Sequence, residues 1–129
     1  MTRFLVDTSV LIDLARRVAP TRTTLIELAE EGHELCVCAV VVSEFFSGVP
    51  PSKVDDWREF FNSLQFLTTG IDAALSAGFR RRDSMRVGRA VATPDALIAA
   101  TALSWGAILL TENPKHFELD GLVVRSLRS

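Results

Sequence analysis

Residues 4–14, FLVDTSVLIDL, decide how the rest of the chain is read. Phe4, Leu5 and Val6 form a continuous apolar run, as a strand covered on both faces requires. The run stops at Asp7, and Val10, Leu11 and Leu14 then recur at helical spacing. A strand, a carboxylate and a helix in that order are the opening of a βαβ crossover. They carry Asp7 to the carboxyl end of the strand, the edge where open parallel sheets bind ligands. By itself Asp7 reads either as a helix cap or as a ligand. Asp13, six residues on, reads as a surface residue pointing away from Asp7.

The same grammar repeats along the chain. Short buried strands are expected at 3–7, 35–39, 65–68, 107–111 and 122–125. Helices are expected between them, each with a start signal. Thr24 with Glu27 resembles a capping box, and Ser52 with Asp55 a weaker one. Val54, Trp57, Phe60, Phe61 and Leu64 then share one helical face. Thr69 with Asp72 opens a third helix. Thr93, Pro94 and Asp95 give the sharpest start, with Thr as N-cap, Pro at N1 and an acid at N2. The pattern predicts an α/β fold, a three-layer sandwich with helices on both faces of a parallel sheet. No repeat, low-complexity segment or linker interrupts it, so residues 1–129 are expected to form a single domain.

Composition narrows the class. The chain is 48% hydrophobic with a mean hydropathy of +0.25, which supplies a core and excludes a disordered chain. No apolar run reaches membrane-spanning length, and the N-terminus lacks a signal-peptide pattern, so a cytoplasmic protein is expected, with no membrane partner. Cys36 and Cys38 would share one face of a strand and read as reduced core thiols, not as half of a zinc site. The net charge of −2 excludes bulk attraction to nucleic acid. Positive charge is instead local: Arg80, Arg81, Arg82, Arg86 and Arg89 crowd into RRRDSMRVGR.

Four side chains are expected along the carboxyl edge of the sheet. Asp7 ends the first strand. Glu44 lies past the second, in AVVVSEFFSGV; Asp95 opens TPDALIAATAL; Asn113 follows the fourth strand, in AILLTENPKHF. Each has a plain structural reading as a cap, a solvated helix residue or a turn former. Together they read differently. Carboxylates gathered in one cleft repel one another, and a divalent cation relieves the repulsion. Oxygen donors without His or Cys favour Mg²⁺ or Mn²⁺ over zinc. Such a cation polarises a phosphodiester and acidifies an attacking water, so the set suits phosphoryl chemistry on a polyanion.

With FLVDTSVLIDL, CAVVVSEFFSGV, TPDALIAATAL and ILLTENPKHF in this order, the chain resembles the PIN-domain ribonucleases, and among them the VapC toxins of type II toxin–antitoxin pairs. The resemblance covers nearly the whole chain. It implies a PIN-like sandwich with a five-stranded parallel sheet in the order 3-2-1-4-5. It implies an Mg²⁺-dependent endoribonuclease, with Mn²⁺ able to substitute, inhibited by a cognate VapB-type antitoxin. Asp7, Glu44 and Asp95 match the family's acidic triad, with Asp7 and Asp95 as its usual metal ligands and Glu44 toward the attacking water. Asn113 matches a fourth position that is often Asp; an uncharged amide there argues against a second, strongly held metal. Thr8, Ser9 and Thr111 match hydroxyl positions near the metal, the last two on the substrate side.

The resemblance further implies a homodimer, and a heterotetramer or larger assembly with antitoxin. Arg80, Arg81, Arg82, Arg86 and Arg89 would grip RNA phosphates near the cleft, unless the segment is only a solvated helix end; of the five, Arg82, Arg86 and Arg89 would share a helical face. Trp57, Phe60 and Phe61 read as core or as a groove for an antitoxin helix. His116 reads as structural and His33 as an exposed helix-end residue. Two other functions compete: a catalytically weak RNA-binding PIN domain, signalled by Asn113, and a receiver-like signalling domain. The receiver requires an acidic pair after the first strand and a Lys after the fifth, and the sequence has neither.

Overall fold

The computed structural model describes residues 1–128. The central strand is β1 (Arg3–Val6), flanked by β2 (Glu34–Cys38) and β4 (Ile108–Leu110). β3 (Gln65–Leu67) lies outside β2 and β5 (Val124–Arg125) outside β4. All pairings are parallel and the order is β3-β2-β1-β4-β5, as expected. Leu5 stands in register with Cys36 on one side and Leu109 on the other. Phe4, Leu5, Val6, Leu109 and Leu110 are all essentially inaccessible. Full burial of side chains this size contributes about 1.5–3 kcal/mol each, which is why apolar runs, not alternation, mark these strands.

Helices α1 (Thr8–Ala15) and α2 (Thr21–Glu30) link β1 to β2, and α3 (Ala39–Phe46) and α4 (Val54–Asn62) link β2 to β3. The return to β4 runs through α5 (Ile71–Arg86) and α6 (Thr93–Ser104). Strand order reverses beside β1, so the ends of β1 and β4 form the switch-point edge. α6 is buried along most of its length through Ala96, Ile98, Ala99, Ala100 and Ala102. Ala73 and Ala77 of α5 pack against Ala96 and Ala100 in a second, small-residue core that brings the two helices close together.

Several local expectations shift. α2 begins at Thr21, so Thr24 lies inside it and donates its amide to Pro20 O (3.0 Å) instead of capping. Thr93 is the first residue of α6, with Ala92 before it at the N-cap position. Cys36 and Cys38 are buried free thiols, and burial first, then Glu34, pushes Cys36 up to about 11. His33 is half-buried: its Nδ1 accepts from the Thr2 amide at 3.1 Å, and its ring meets Phe4 edge-on.

Asp13 is the clearest correction. It is only 4% exposed, and its two oxygens take Arg128 Nε and Nη2 at 2.8 and 2.7 Å. The pair fastens the chain after β5 to α1. The two partners are not equivalent, because Asp13 is buried and the Arg128 side chain is 56% exposed. Removing the arginine strands a buried carboxylate; neutralising the aspartate leaves a guanidinium that water can solvate. Arg128→Ala is therefore expected to lower the melting temperature by several degrees, and by more than Asp13→Asn, in thermal unfolding of the two purified variants.

Candidate active site at the carboxyl edge of the sheet

Asp7 occupies the N-cap position of α1, where its carbonyl accepts from the amides of Val10 (3.1 Å) and Leu11 (3.3 Å). Its own amide donates to Leu110 O at 2.9 Å, tying it to the end of β4. The side chain does not cap the helix. Instead Oδ2 accepts from Ser9 Oγ at 2.9 Å and from Thr111 Oγ1 at 2.7 Å. Each hydroxyl has one proton to give. With both protons committed to Asp7, the two hydroxyls, 3.2 Å apart, share none. Their lone pairs are used by the following loop: Glu112 N donates to Ser9 Oγ (2.9 Å) and Asn113 N to Thr111 Oγ1 (3.0 Å). Backbone amides thus hold two hydroxyls, and the hydroxyls hold a carboxylate that is 5% exposed.

Thr8 reaches the opposite way and donates Oγ1 to Glu44 Oε1 at 2.9 Å. Glu44 lies on the exposed side of α3, so this bond is what orients its carboxylate. Asp95 stands in the first turn of α6, with His116 Nδ1 3.5 Å from its Oδ2. Its carboxyl is held above the ordinary value, by burial first and by the charge of Asp7 as well, with His116 and Arg80 pulling the other way. Asp95 and Asp7 therefore share one patch of negative potential. Glu112, adjacent in sequence, turns away: its carboxylate takes the Ser126 hydroxyl and the Leu127 amide. Asn113 contributes its backbone, and its exposed amide side chain has no hydrogen-bond partner among the described residues.

The arginines separate differently from the expected trio. α5 ends at Arg86; Gly88, at φ +73°, and the Arg89 N to Ser84 O bond (2.9 Å) then turn the chain. Arg89 therefore does not continue the stripe of Arg82 and Arg86. All three side chains are exposed, and Arg82 pairs with Asp83 (3.3 Å) above the Phe79 ring. None makes a hydrogen bond or ion pair with Asp7, Glu44 or Asp95. The arginine that acts on the acids is Arg80, through its charge on Asp95. His116, expected to be structural, has its Nδ1 3.5 Å from Asp95 Oδ2.

Among the described residues no three His, Cys, Asp or Glu side chains converge closely enough to make a metal site by themselves. The donors that do approach are carboxylates, and burial first, with the charge of Asp7 adding to it, holds the carboxyl of Asp95 above its ordinary value. Such a set fits a hard divalent cation of the Mg²⁺ kind, which takes one or two carboxylates and keeps several waters.

Fold and site together define a doubly wound α/β protein with acidic side chains gathered at the switch point of its sheet. The PIN-domain sequence profile matches residues 4–122, and the chain belongs to the PIN-domain family. It is 31% identical to "Ribonuclease VapC19" of Mycobacterium tuberculosis over 115 residues, 89% of this chain and 92% of that one. It is 26% identical to the "tRNA(fMet)-specific endonuclease VapC" of Shigella flexneri, with 94% of each chain covered. Its fold superposes with a TM-score of 0.81 on a chain of the DNA-bound VapBC structure from Salmonella typhimurium, at 22% identity and 98% coverage of both chains. The VapBC2 structure from Rickettsia felis gives 0.82 at 18% identity, covering 97% of this chain and 98% of that one. The receiver-like alternative has no support left.

Proposed function

We propose that this chain is a metal-dependent endoribonuclease, the toxin of a toxin–antitoxin pair, acting as one PIN domain over residues 1–129 in the cytoplasm. One observation carries the reading: Asp7 sits where a helix cap would, yet its carboxylate is withheld from the helix and fixed by Ser9 and Thr111, where its charge is felt by Asp95. Asp7 and Asp95, with Glu44 beside them, would hold Mg²⁺ or Mn²⁺. That cation neutralises phosphate charge and makes water a stronger acid. Thr8 occupies Glu44 Oε1, leaving Oε2 to take a proton from the attacking water. The water oxygen bonds to phosphorus, the P–O3′ bond breaks, and O3′ regains a proton. The products carry a 5′-phosphate and a 3′-hydroxyl. Asn113 holds the 111–113 turn through its backbone and offers its amide to a phosphate oxygen.

The partner surface lies elsewhere. A 590 Å³ groove between α3, α4 and the β2–β3 edge is lined by Val37, Val42, Phe46, Phe61, Leu64 and Phe66, among others. Phe61 is buried, and its ring packs with Phe45, Phe46 and Phe60, so the aromatic face of α4 serves core and groove together. The groove suits the apolar face of an antitoxin helix. Chains of like fold come from VapBC complexes, which supports an antitoxin as the occupant; the assembly proposed is a toxin homodimer within a larger complex with antitoxin.

Purified protein incubated with structured RNA is expected to cut it in Mg²⁺ or Mn²⁺, to stop when EDTA is added, and to leave 5′-phosphate ends. RNA bound but uncut under every metal condition would favour the second reading, an RNA-binding PIN domain, for which Asn113, uncharged and without a side-chain partner among the described residues, is the supporting feature.

A further inference from the structure

Two buried side-chain polar atoms lack a protein hydrogen-bond partner among the described residues, Thr21 Oγ1 and Arg80 Nη1. Thr21 is neutral. Arg80 is a charged group with a sealed, unused donor, a costly arrangement for a folded protein to keep. Its position follows from helix spacing. Ala73, Ala77 and Arg80 recur at i, i+4 and i+7, so Arg80 extends the stripe of α5 that packs on α6. One turn past the Ala77 contact, α6 begins, with Asp95 in its first turn. Arg80 Nη2 rests on Glu118 O at 3.4 Å, after the turn that carries His116. Asp95 and Arg80 feel each other's charge, yet among the described residues they form no salt bridge. A cation and an anion are thus held in range of one another without closing.

That separation is what a phosphate needs. Its oxygens require a cation site on one side, which Asp95 helps supply, and a hydrogen-bond donor on the other. We infer that Arg80 is a catalytic residue: as RNA enters, its guanidinium turns from the weak 3.4 Å contact with Glu118 O and donates Nη1 to a non-bridging oxygen of the phosphate at the acidic site. This rests on the ribonuclease reading above. As water adds and the P–O3′ bond breaks, charge on those oxygens grows, and the guanidinium beside them stabilises it. The exposed Arg82 and Arg86 then contribute only diffuse attraction.

The test separates RNA contact from structure. Binding of a labelled single-stranded RNA is measured by fluorescence anisotropy in EDTA, where cleavage cannot interfere, across a salt series. Arg80→Gln is expected to weaken binding roughly tenfold or more and to flatten the log–log salt slope by about 0.7, the value for one lost single-strand phosphate contact. Arg82→Gln should lose clearly less. Arg80→Met should melt no lower than the wild type, because the side chain it removes has an unsatisfied donor in the free protein. In Mg²⁺, Arg80→Gln should lower kcat as well as raise KM, with partial rescue in Arg80→Lys. Unchanged binding and slope in Arg80→Gln, beside a wild type that binds and cuts RNA, overturns the inference and leaves the ribonuclease reading standing. Equal losses in Arg80→Gln and Arg82→Gln, or a lower melting temperature in Arg80→Met with intact binding, also overturn it. A wild type that neither binds nor cuts RNA removes both.

Discussion

Asp7→Asn is expected to reduce RNA cleavage by roughly 10²–10³-fold or more in a protein that remains folded. Asparagine keeps the shape of the side chain, and its Oδ1 can still accept from Ser9 and Thr111, so the packing around β1 has no reason to change. What disappears is the negative charge that would hold a cation. The same change removes a repulsion from Asp95, whose carboxyl is raised by burial and by Asp7. A raised carboxyl means that ionisation costs folding stability. The cost appears as pH rises from the ordinary value of 3.8 through the raised one, and persists above it. In EDTA, Asp7→Asn should therefore melt at or above the wild-type temperature at neutral pH, and the gain should shrink as the pH falls toward that ordinary value. Initial rates on RNA and melting curves across pH check both halves. Wild-type cleavage by Asp7→Asn would remove the residue from the mechanism.

The residues behind this prediction differ in how legible they were. β1 and β4 could be read nearly to the residue, because strands buried on both faces must be continuously apolar, and Phe4–Val6 and Ile108–Leu110 are. The order of the strands could not be read from periodicity; it came with the resemblance. Asp7 was ambiguous because a cap and a ligand occupy the same junction, and only the hydroxyls of Ser9 and Thr111 separate them. Thr111 is distant in sequence, and its hydroxyl reaches Asp7 only because β4 pairs with β1.

Asp13 escapes a local reading for a related reason. Its partner is 115 residues away, and a pairing that remote leaves no local trace. The arginine segment did carry a usable signal. Gly88 follows Arg86 as a helix-terminating glycine should, which already places Arg89 off the stripe. The spacing of Ala73, Ala77 and Arg80 pointed to the arginine that faces α6. In a cluster of like charges the informative quantity is which helical face each one shares with small residues.

Thr111→Val should be the most damaging change that leaves every acid in place. Valine fills nearly the same volume, so the cavity term is small and the effect isolates the hydroxyl. Thr111 is fully buried, and its oxygen donates to Asp7 Oδ2 at 2.7 Å while accepting from Asn113 N at 3.0 Å. Valine leaves Asp7 with Ser9 alone and leaves the Asn113 amide without its acceptor. Each stranded buried group costs about 1–3 kcal/mol, and urea denaturation should register a loss of that order. Asp7 would also lose one of the two bonds that fix its carboxylate, and displacement of a reacting group by an ångström costs on the order of a hundredfold in rate. Thr111→Ser keeps the hydroxyl and gives up one methyl, about 0.8 kcal/mol, so it should cleave RNA close to the wild-type rate. Equal rates for the Val and Ser variants would mean that Ser9 alone positions Asp7. A double-mutant cycle locates the coupling: in the Asp7→Asn background, Thr111→Val should cost less stability than in the wild type, because its strongest bond there no longer meets a charge.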